Sequence, residues 1–318
     1  MASQRIAAID IGTVTTRLLV AEVSAGEVTE LLRRSTITQL GAGWTATGVL
    51  SEEGMSRVIE TVRAYLADAR DLGATTVSAV ATSASRDAAN SEDFLHRLDE
   101  AGVRPEIISG AREAQLTFLG ATYGLQAERV LVADVGGGST ELVLGSADSG
   151  EPGGASATIE VARSVDVGSR RITELFLHGD PPAAREIEAA AAWAADELRP
   201  YFGGLRERPR DMIAVAGTAT SLAAIEMALD PYDPTRVHGH RIEGPVLADT
   251  LEHLASLTLE ERQGVVGLEP ARAGVIVGGA IILQAVLALA GLPSTLVSER
   301  DILYGMVLDS AAAEGTER

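Results

Sequence analysis

Two stretches of this chain repeat one another. AAIDIGTVTTRLLV, residues 7–20, is an apolar run that ends on Asp10, turns through Gly12 and Thr13, and resumes as a second apolar run. LVADVGGGSTELVL, residues 131–144, does the same around Asp134, with Gly136, Gly137, Gly138, Ser139 and Thr140 in the turn. The two aspartates stand 124 residues apart, a period too long for a solenoid. Each copy opens a half that goes on as alternating helix and strand patterns. That arrangement fits two α/β domains of similar topology facing one another across a cleft. The length of 318 residues also favours two cores over one.

Strand patterns cover residues 5–10, 15–23, 26–34, 76–82, 105–109, 129–133, 140–145, 211–217 and 295–298. Ser51 reads as the cap of a helix running to about residue 71, with Gly73 just past its end. Further helices are expected at 91–100, 110–124, 183–199, 217–228, 245–256 and 270–290, and in ERDILYGMVLDSAA near the end. Residues 147–156, ADSGEPGGAS, read as a hairpin loop or small excursion.

Composition removes several kinds of chemistry. The chain has no cysteine, so disulfides, thiolate metal sites and thiol catalysis are excluded. It has no lysine, so a phosphate loop of the GxxxxGK[ST] type cannot exist. Any phosphate must be met by arginine, backbone N–H groups or a metal. The net charge of −19 argues against nonspecific binding to nucleic acid or an anionic membrane. The N-terminus lacks the basic and long apolar regions of a secretion signal, so a cytoplasmic protein is expected. Residues 273–292, AGVIVGGAIILQAVLALAGL, are about long enough to span a bilayer. Gln284 and three early glycines point instead to a buried core helix.

A glycine-hydroxyl turn between strands lets the backbone approach a phosphate, with successive N–H groups forming an anion nest. A carboxylate at the mouth of such a nest repels phosphate unless a cation intervenes, so Asp10 and Asp134 suggest Mg²⁺, directly or through water. Two ordinary β-turns would show the same residues. VAGTATSLAA, residues 215–224, is a third such turn, with Gly217, Thr218, Thr220 and Ser221 entering a helix; it reads equally as ordinary capping. Arg86, in the ATSASRDAAN loop, can grip a phosphate or pair with Asp87. Glu113 falls in the first turn of a helix; with Gly110 as N-cap it takes the third position, where a capping glutamate is favoured. His238 and His240 lack an evident third ligand and read as structural.

Taken together, DIGT, ATSASRDAAN, ISGAREAQLTFLG, DVGGGSTELV, AGTATSLAA, LEPARAGVIVGGAIIL and SERDILYGMV resemble the Ppx/GppA family of exopolyphosphatases and guanosine pentaphosphate phosphohydrolases. The resemblance runs in order from residue 5 to about residue 308. It implies two ribonuclease-H-like domains of the actin, Hsp70 and sugar-kinase superfamily. These would be residues 1–124, with the helix of about 301–318 packing back on them, and residues 125–300. The family match makes Glu113 the catalytic glutamate that activates water, and Asp134 and Glu141 carboxylates linked to Mg²⁺ and catalysis. Gly136, Gly137, Gly138, Ser139 and Thr140 match its phosphate loop, Gly12 and Thr13 the partner turn, and Arg86 a cleft arginine. Asp10, Gly217 and Thr218 complete the expected phosphate-binding set.

The implied activity is release of orthophosphate from the ends of inorganic polyphosphate, or hydrolysis of the 5′ phosphate of pppGpp. One departure stands out: Val14 occupies a position where the family usually has asparagine, which removes one phosphate donor. A ligand-binding sensor of polyphosphate or ppGpp therefore stays open beside the hydrolase, and so, from the superfamily, does a kinase. The chain is short for the family, which tilts the expected substrate toward shorter polyphosphates and leaves a homodimer open.

Overall fold

The two repeats become the leading strands of two sheets built to one plan. A computed structural model describes residues 3–148 and 156–316, so most of the expected 147–156 loop, and the last two residues of the terminal helix, lie outside the described residues. The chain divides into a first unit, Met1–Ala127 with Ala147–Thr158 and Arg300–Arg318, and a second, Glu128–Ser146 with Ile159–Glu299.

The first sheet contains β1 (Gln4–Ile11), β2 (Thr15–Ser24), β3 (Glu27–Ile37), β4 (Thr76–Ala81) and β5 (Glu106–Ile107) in the order β3-β2-β1-β4-β5. β1 runs antiparallel to β2 and parallel to β4. β2 and β3 are antiparallel, and β4 and β5 parallel. The second sheet contains β6 (Ala127–Val135), β7 (Thr140–Asp148), β8 (Ser156–Val165), β9 (Asp211–Val215), β10 (Arg241–Glu243) and β11 (Ser294–Val297). Its order, β10-β11-β9-β6-β7-β8, is the same plan with β10 added at one edge. β6 stands for β1, β7 for β2, β8 for β3, β9 for β4 and β11 for β5. β9 is parallel to β6, and β11 to β9.

β1 shows why its sequence is apolar nearly throughout. Successive side chains point to opposite faces. Ala7, Ile9 and Ile11 pack with Met55, Val58, Val62, Phe94 and Leu98, whereas Ile6 and Ala8 pack with Leu116, Ile302, Leu303 and Val307. Both faces are covered, so neither can be polar. Ser51 caps the helix Glu52–Asp71 as expected, its hydroxyl accepting from Gly54 N at 3.1 Å. The other face is covered by the helices Gly110–Ala121 and Ile302–Thr316, which meet through glycines. A Cβ at Gly120 would lie 1.8 Å from the Asp301 carbonyl oxygen, and one at Gly305 1.9 Å from that of Leu116.

In the second unit the apolar stretch 273–292 is a core element. It opens with a 3-10 turn at Pro270–Arg272, and the α-helix runs only over Ile276–Ala290. Fifteen residues rise about 22 Å, short of a bilayer's hydrocarbon core. Among the described residues no helix is long and apolar enough to cross a membrane.

Several boundaries differ from expectation. Arg86 lies in a short helix, Ser83–Asp87, and the 211–217 strand stops at Val215. There Ala216, at φ 64°, turns the chain straight into the helix Ala216–Glu226. The short helices Trp44–Thr47, Ser169–Phe176, Pro234–Val237 and Leu259–Gln263 were not among the expected elements.

Candidate active site

Parallel strands bring their carboxyl ends to one edge of a sheet, and in open α/β sheets that edge is where ligands bind. In the first unit Ile11 pairs in register with Ala81, and Thr82 N donates to Ile11 O at 3.2 Å. Ile108 N in turn donates to Ala81 O at 3.2 Å. The Asp10–Thr13 turn, the Ser83–Asp87 helix and the start of the Gly110–Ala121 helix therefore follow three neighbouring strand ends.

Gly12 N donates to Thr15 O at 3.0 Å and closes the first turn. The turn's carbonyls are tied back: Thr13 O accepts from Gly41 N at 2.8 Å, and Val14 O from Thr38 N and Gln39 N at 3.0 and 2.9 Å. Asp10, Thr13 and Val14 are all buried. Asp10 Oδ2 accepts from Arg17 Nε and Nη2 at 3.0 and 2.7 Å. Burial pushes the Asp10 carboxyl above the usual range, and the Arg17 guanidinium pulls it partly back.

Glu113 is buried in the first turn of its helix, and its N–H donates to Ser109 O at 2.9 Å. The expected cap shifts by one residue: Ser109, whose hydroxyl accepts from Arg112 N at 3.2 Å, is the N-cap in place of Gly110. Arg112 thus holds the third position. The capping-box explanation for Glu113 falls, because a serine hydroxyl is the stronger cap. Arg86 Nη1 lies 3.9 Å from Glu113 Oε2 and donates to Ile108 O at 3.2 Å, while its Nε donates to Asp87 at 3.2 Å. Arg86 thus pairs with Asp87 and also faces Glu113.

The second unit closes its turn in the same way. Gly136 N donates to Ser139 O at 3.0 Å, the same bond 124 residues on. Gly137 O accepts from Arg170 N at 3.0 Å, and Gly138 O from Arg171 Nε at 3.0 Å. Ser169 N reaches Gly136 O at 2.9 Å. The close approach requires Gly168, where a Cβ would sit 2.3 Å from Gly137 O. Asp134, Ser139, Thr140 and Glu141 are buried, and Glu141 Oε1 accepts from Ser164 Oγ at 2.6 Å. Thr140 Oγ1 donates inward to Val167 O at 2.5 Å.

One substitution separates the halves. Where β2 carries Arg17, β7 carries Glu141, 124 residues later. Asp10 therefore meets an arginine, whereas the corresponding place in the second unit holds another carboxylate. The third turn follows β9, whose Val215 pairs in register with Asp134. Thr218 Oγ1 donates to Val135 O at 3.1 Å, which makes it a brace between two strand ends. Gly217 lies beneath the Arg272 guanidinium, with a Cβ there 2.1 Å from Nη1. His240 pairs with Glu226 at 3.0 Å and His238 Nδ1 accepts from Glu299 N at 3.3 Å.

Arg17, Gly168–Arg171, Ser164, Arg272 and the 38–41 segment were not among the expected site residues. Arg17 was findable by aligning the repeats position by position. The others answer only to contacts distant in sequence.

A sequence model described as the Ppx/GppA phosphatase family matches residues 19–313. Exopolyphosphatase 2 of Mycobacterium tuberculosis is 35% identical, covering 98% of this chain and 100% of that protein. Exopolyphosphatase 1 of Mycobacterium bovis is 30% identical over 98% of this chain and 90% of its own. The solved structure of an exopolyphosphatase-like protein superposes with a TM-score of 0.90 at 33% identity, covering 98% of each chain. The Aquifex aeolicus Ppx/GppA protein gives 0.80 at 30% identity over 98% of this chain and 99% of its own. The matching order of motifs, the twin sheets with their equivalent turns, and the extent of these similarities place the chain in the Ppx/GppA phosphatase family.

Proposed function

We propose that this protein is a Mg²⁺-dependent exopolyphosphatase that hydrolyses the terminal phosphoanhydride bonds of inorganic polyphosphate and releases orthophosphate. The observation that carries the reading is the pair of equivalent turns with their carbonyls tied back. Withdrawing carbonyl oxygens leaves backbone N–H groups as the polar face offered to an anion. Relatives named exopolyphosphatase over 98% of the chain support polyphosphate as the anion.

The chemistry divides among named side chains. Glu113 orients and deprotonates the attacking water. Arg86, facing Glu113 at 3.9 Å, meets the negative charge of the terminal phosphoryl group as it develops. The Gly12–Thr13 turn of the first unit and the Gly136–Thr140 turn of the second are each phosphate-binding; Asp10 shapes the first turn.

The donor set fits magnesium. Among the described residues no cluster of three or more His, Cys, Asp or Glu forms a metal cage. Mg²⁺ ordinarily takes one or two carboxylates and completes its shell with water and phosphate oxygens. Asp134 and Glu141 are buried carboxylates at a turn where the neutralising arginine of the first unit is replaced by Glu141. They would hold the ion, which supplies charge neutralisation to the phosphates when bound.

The test is phosphate release from a length series of polyphosphates with Mg²⁺, comparing the native protein with Glu113→Gln. Loss of the base should lower kcat by about 10²–10⁴-fold. Equal rates in the two proteins would remove Glu113 from the mechanism. Faster release from pppGpp in the same assay would move the substrate assignment, and tight binding without release would make the protein a sensor.

A further inference from the structure

Arg17 and Asp301 are 284 positions apart in the chain, and neither lies in a phosphate turn. Arg17 directs Nε and Nη2 to a single oxygen of Asp10 and sends Nη1 to Oδ2 of Asp301. The other oxygen of Asp301 accepts from Leu303 N at 3.0 Å, at the start of the helix Ile302–Thr316. Its backbone carbonyl accepts from Gly305 N at 3.2 Å, and Gly120 packs against that carbonyl. One residue thus touches, by its side chain, the arginine that holds Asp10. By its backbone it touches the helix whose first turn carries Glu113. Asp10 is buried, and its Oδ1 has no hydrogen-bond partner among the described residues. The guanidinium fixes one oxygen and leaves the second oriented.

We propose that Asp301 is a positioning residue for this half of the site: it clamps Arg17, Arg17 fixes Asp10, and the Asp301 backbone sets Asp10 against the Glu113 helix. The clamp has a chemical reason. A guanidinium held by one carboxylate can swing to an incoming polyphosphate, which is a better bidentate partner. A second carboxylate at Nη1 keeps Arg17 on Asp10 while substrate binds. The proposal rests on the assignment of Asp10 and Glu113 to the hydrolytic site.

Asp301→Asn keeps an oxygen for Leu303 N and replaces the charged acceptor at Arg17 Nη1 with an amide NH2 that cannot accept, so the clamp is lost. It should lower kcat about tenfold while KM stays constant or falls, because the released arginine binds substrate. In an Asp10→Asn background the same change should have no further effect on kcat. Additive losses, or a raised KM with kcat intact, would overturn the proposal. The cycle is also read on the Kd for inorganic tripolyphosphate by calorimetry. If the native protein releases no phosphate, the underlying reading fails alone. Non-additive Kd values would then still support the clamp, and additive ones would reject it.

Discussion

Val14 sits between the Thr13 and Thr15 backbones of the first turn, at the position equivalent to Gly138 in the second. Its carbonyl accepts two N–H groups from the 38–39 segment, so the backbone is fixed independently of the side chain. Val14→Asn should therefore keep the turn and add one donor toward a bound phosphate. A hydrogen bond to a charged group contributes about 1.5–3 kcal/mol, so kcat/KM should rise at least tenfold. Placing an amide where valine is buried should cost about 1 kcal/mol of stability. Kinetics and thermal unfolding of the one variant check both signs. Unchanged kcat/KM with lower stability would mean that side chain 14 faces protein. At this scale the sequence exposes turn chemistry well, because Asp10, Gly12 and Gly136 act through near neighbours. It hides Asp301, whose link to Arg17, 284 positions away, exists only once the chain between them has folded.

Two helices carry the Glu113 side of the first unit, and their contact depends on hydrogen atoms standing where side chains would be. Gly120→Ala gains helix propensity of about 1 kcal/mol. Against that, its Cβ would sit 1.8 Å from a backbone oxygen that cannot rotate away. Overpacking of this kind costs about 1–3 kcal/mol. We expect net destabilisation and a further loss of kcat as the helices part and Glu113 shifts; Gly305→Ala should do the same. Gly203→Ala is the control, since nothing lies within 4 Å of its Cβ position. It should be neutral or stabilising by up to about 1 kcal/mol. Denaturant unfolding of the three variants distinguishes packing from propensity. Element patterns were legible wherever periodicity was strong, as in the helix behind Ser51. They misled where two residues competed for one role. Ser109 and Gly110 are adjacent, and only the observed hydroxyl bond to Arg112 N decides which one caps. The Ser169–Phe176 helix carries Ile172, Leu175 and Phe176 at helical spacing, yet it is short and its start is set by the distant Gly136 and Gly137 carbonyls.

At the scale of the whole molecule the repeat was the most readable feature, since a 124-residue offset carries Asp10 to Asp134 and one sheet order onto the other. The charge of −19 is read as easily, and it makes a prediction about encounter. Polyphosphate is a polyanion, so long-range repulsion should slow its approach even though local donors hold it once bound. The range of that repulsion is the Debye length, about 30 Å at 0.01 M salt and 10 Å at 0.1 M. With free Mg²⁺ held constant, kcat/KM for a long polyphosphate should rise several-fold as potassium chloride goes from about 0.01 to 0.1 M, then level off. kcat should not follow, because the bound substrate is already inside the field of its local partners. A protein whose surface attracts its polyanion shows the opposite slope. If kcat/KM falls instead, local arginines such as Arg86 dominate the approach, and the net charge has no say in which anion arrives first.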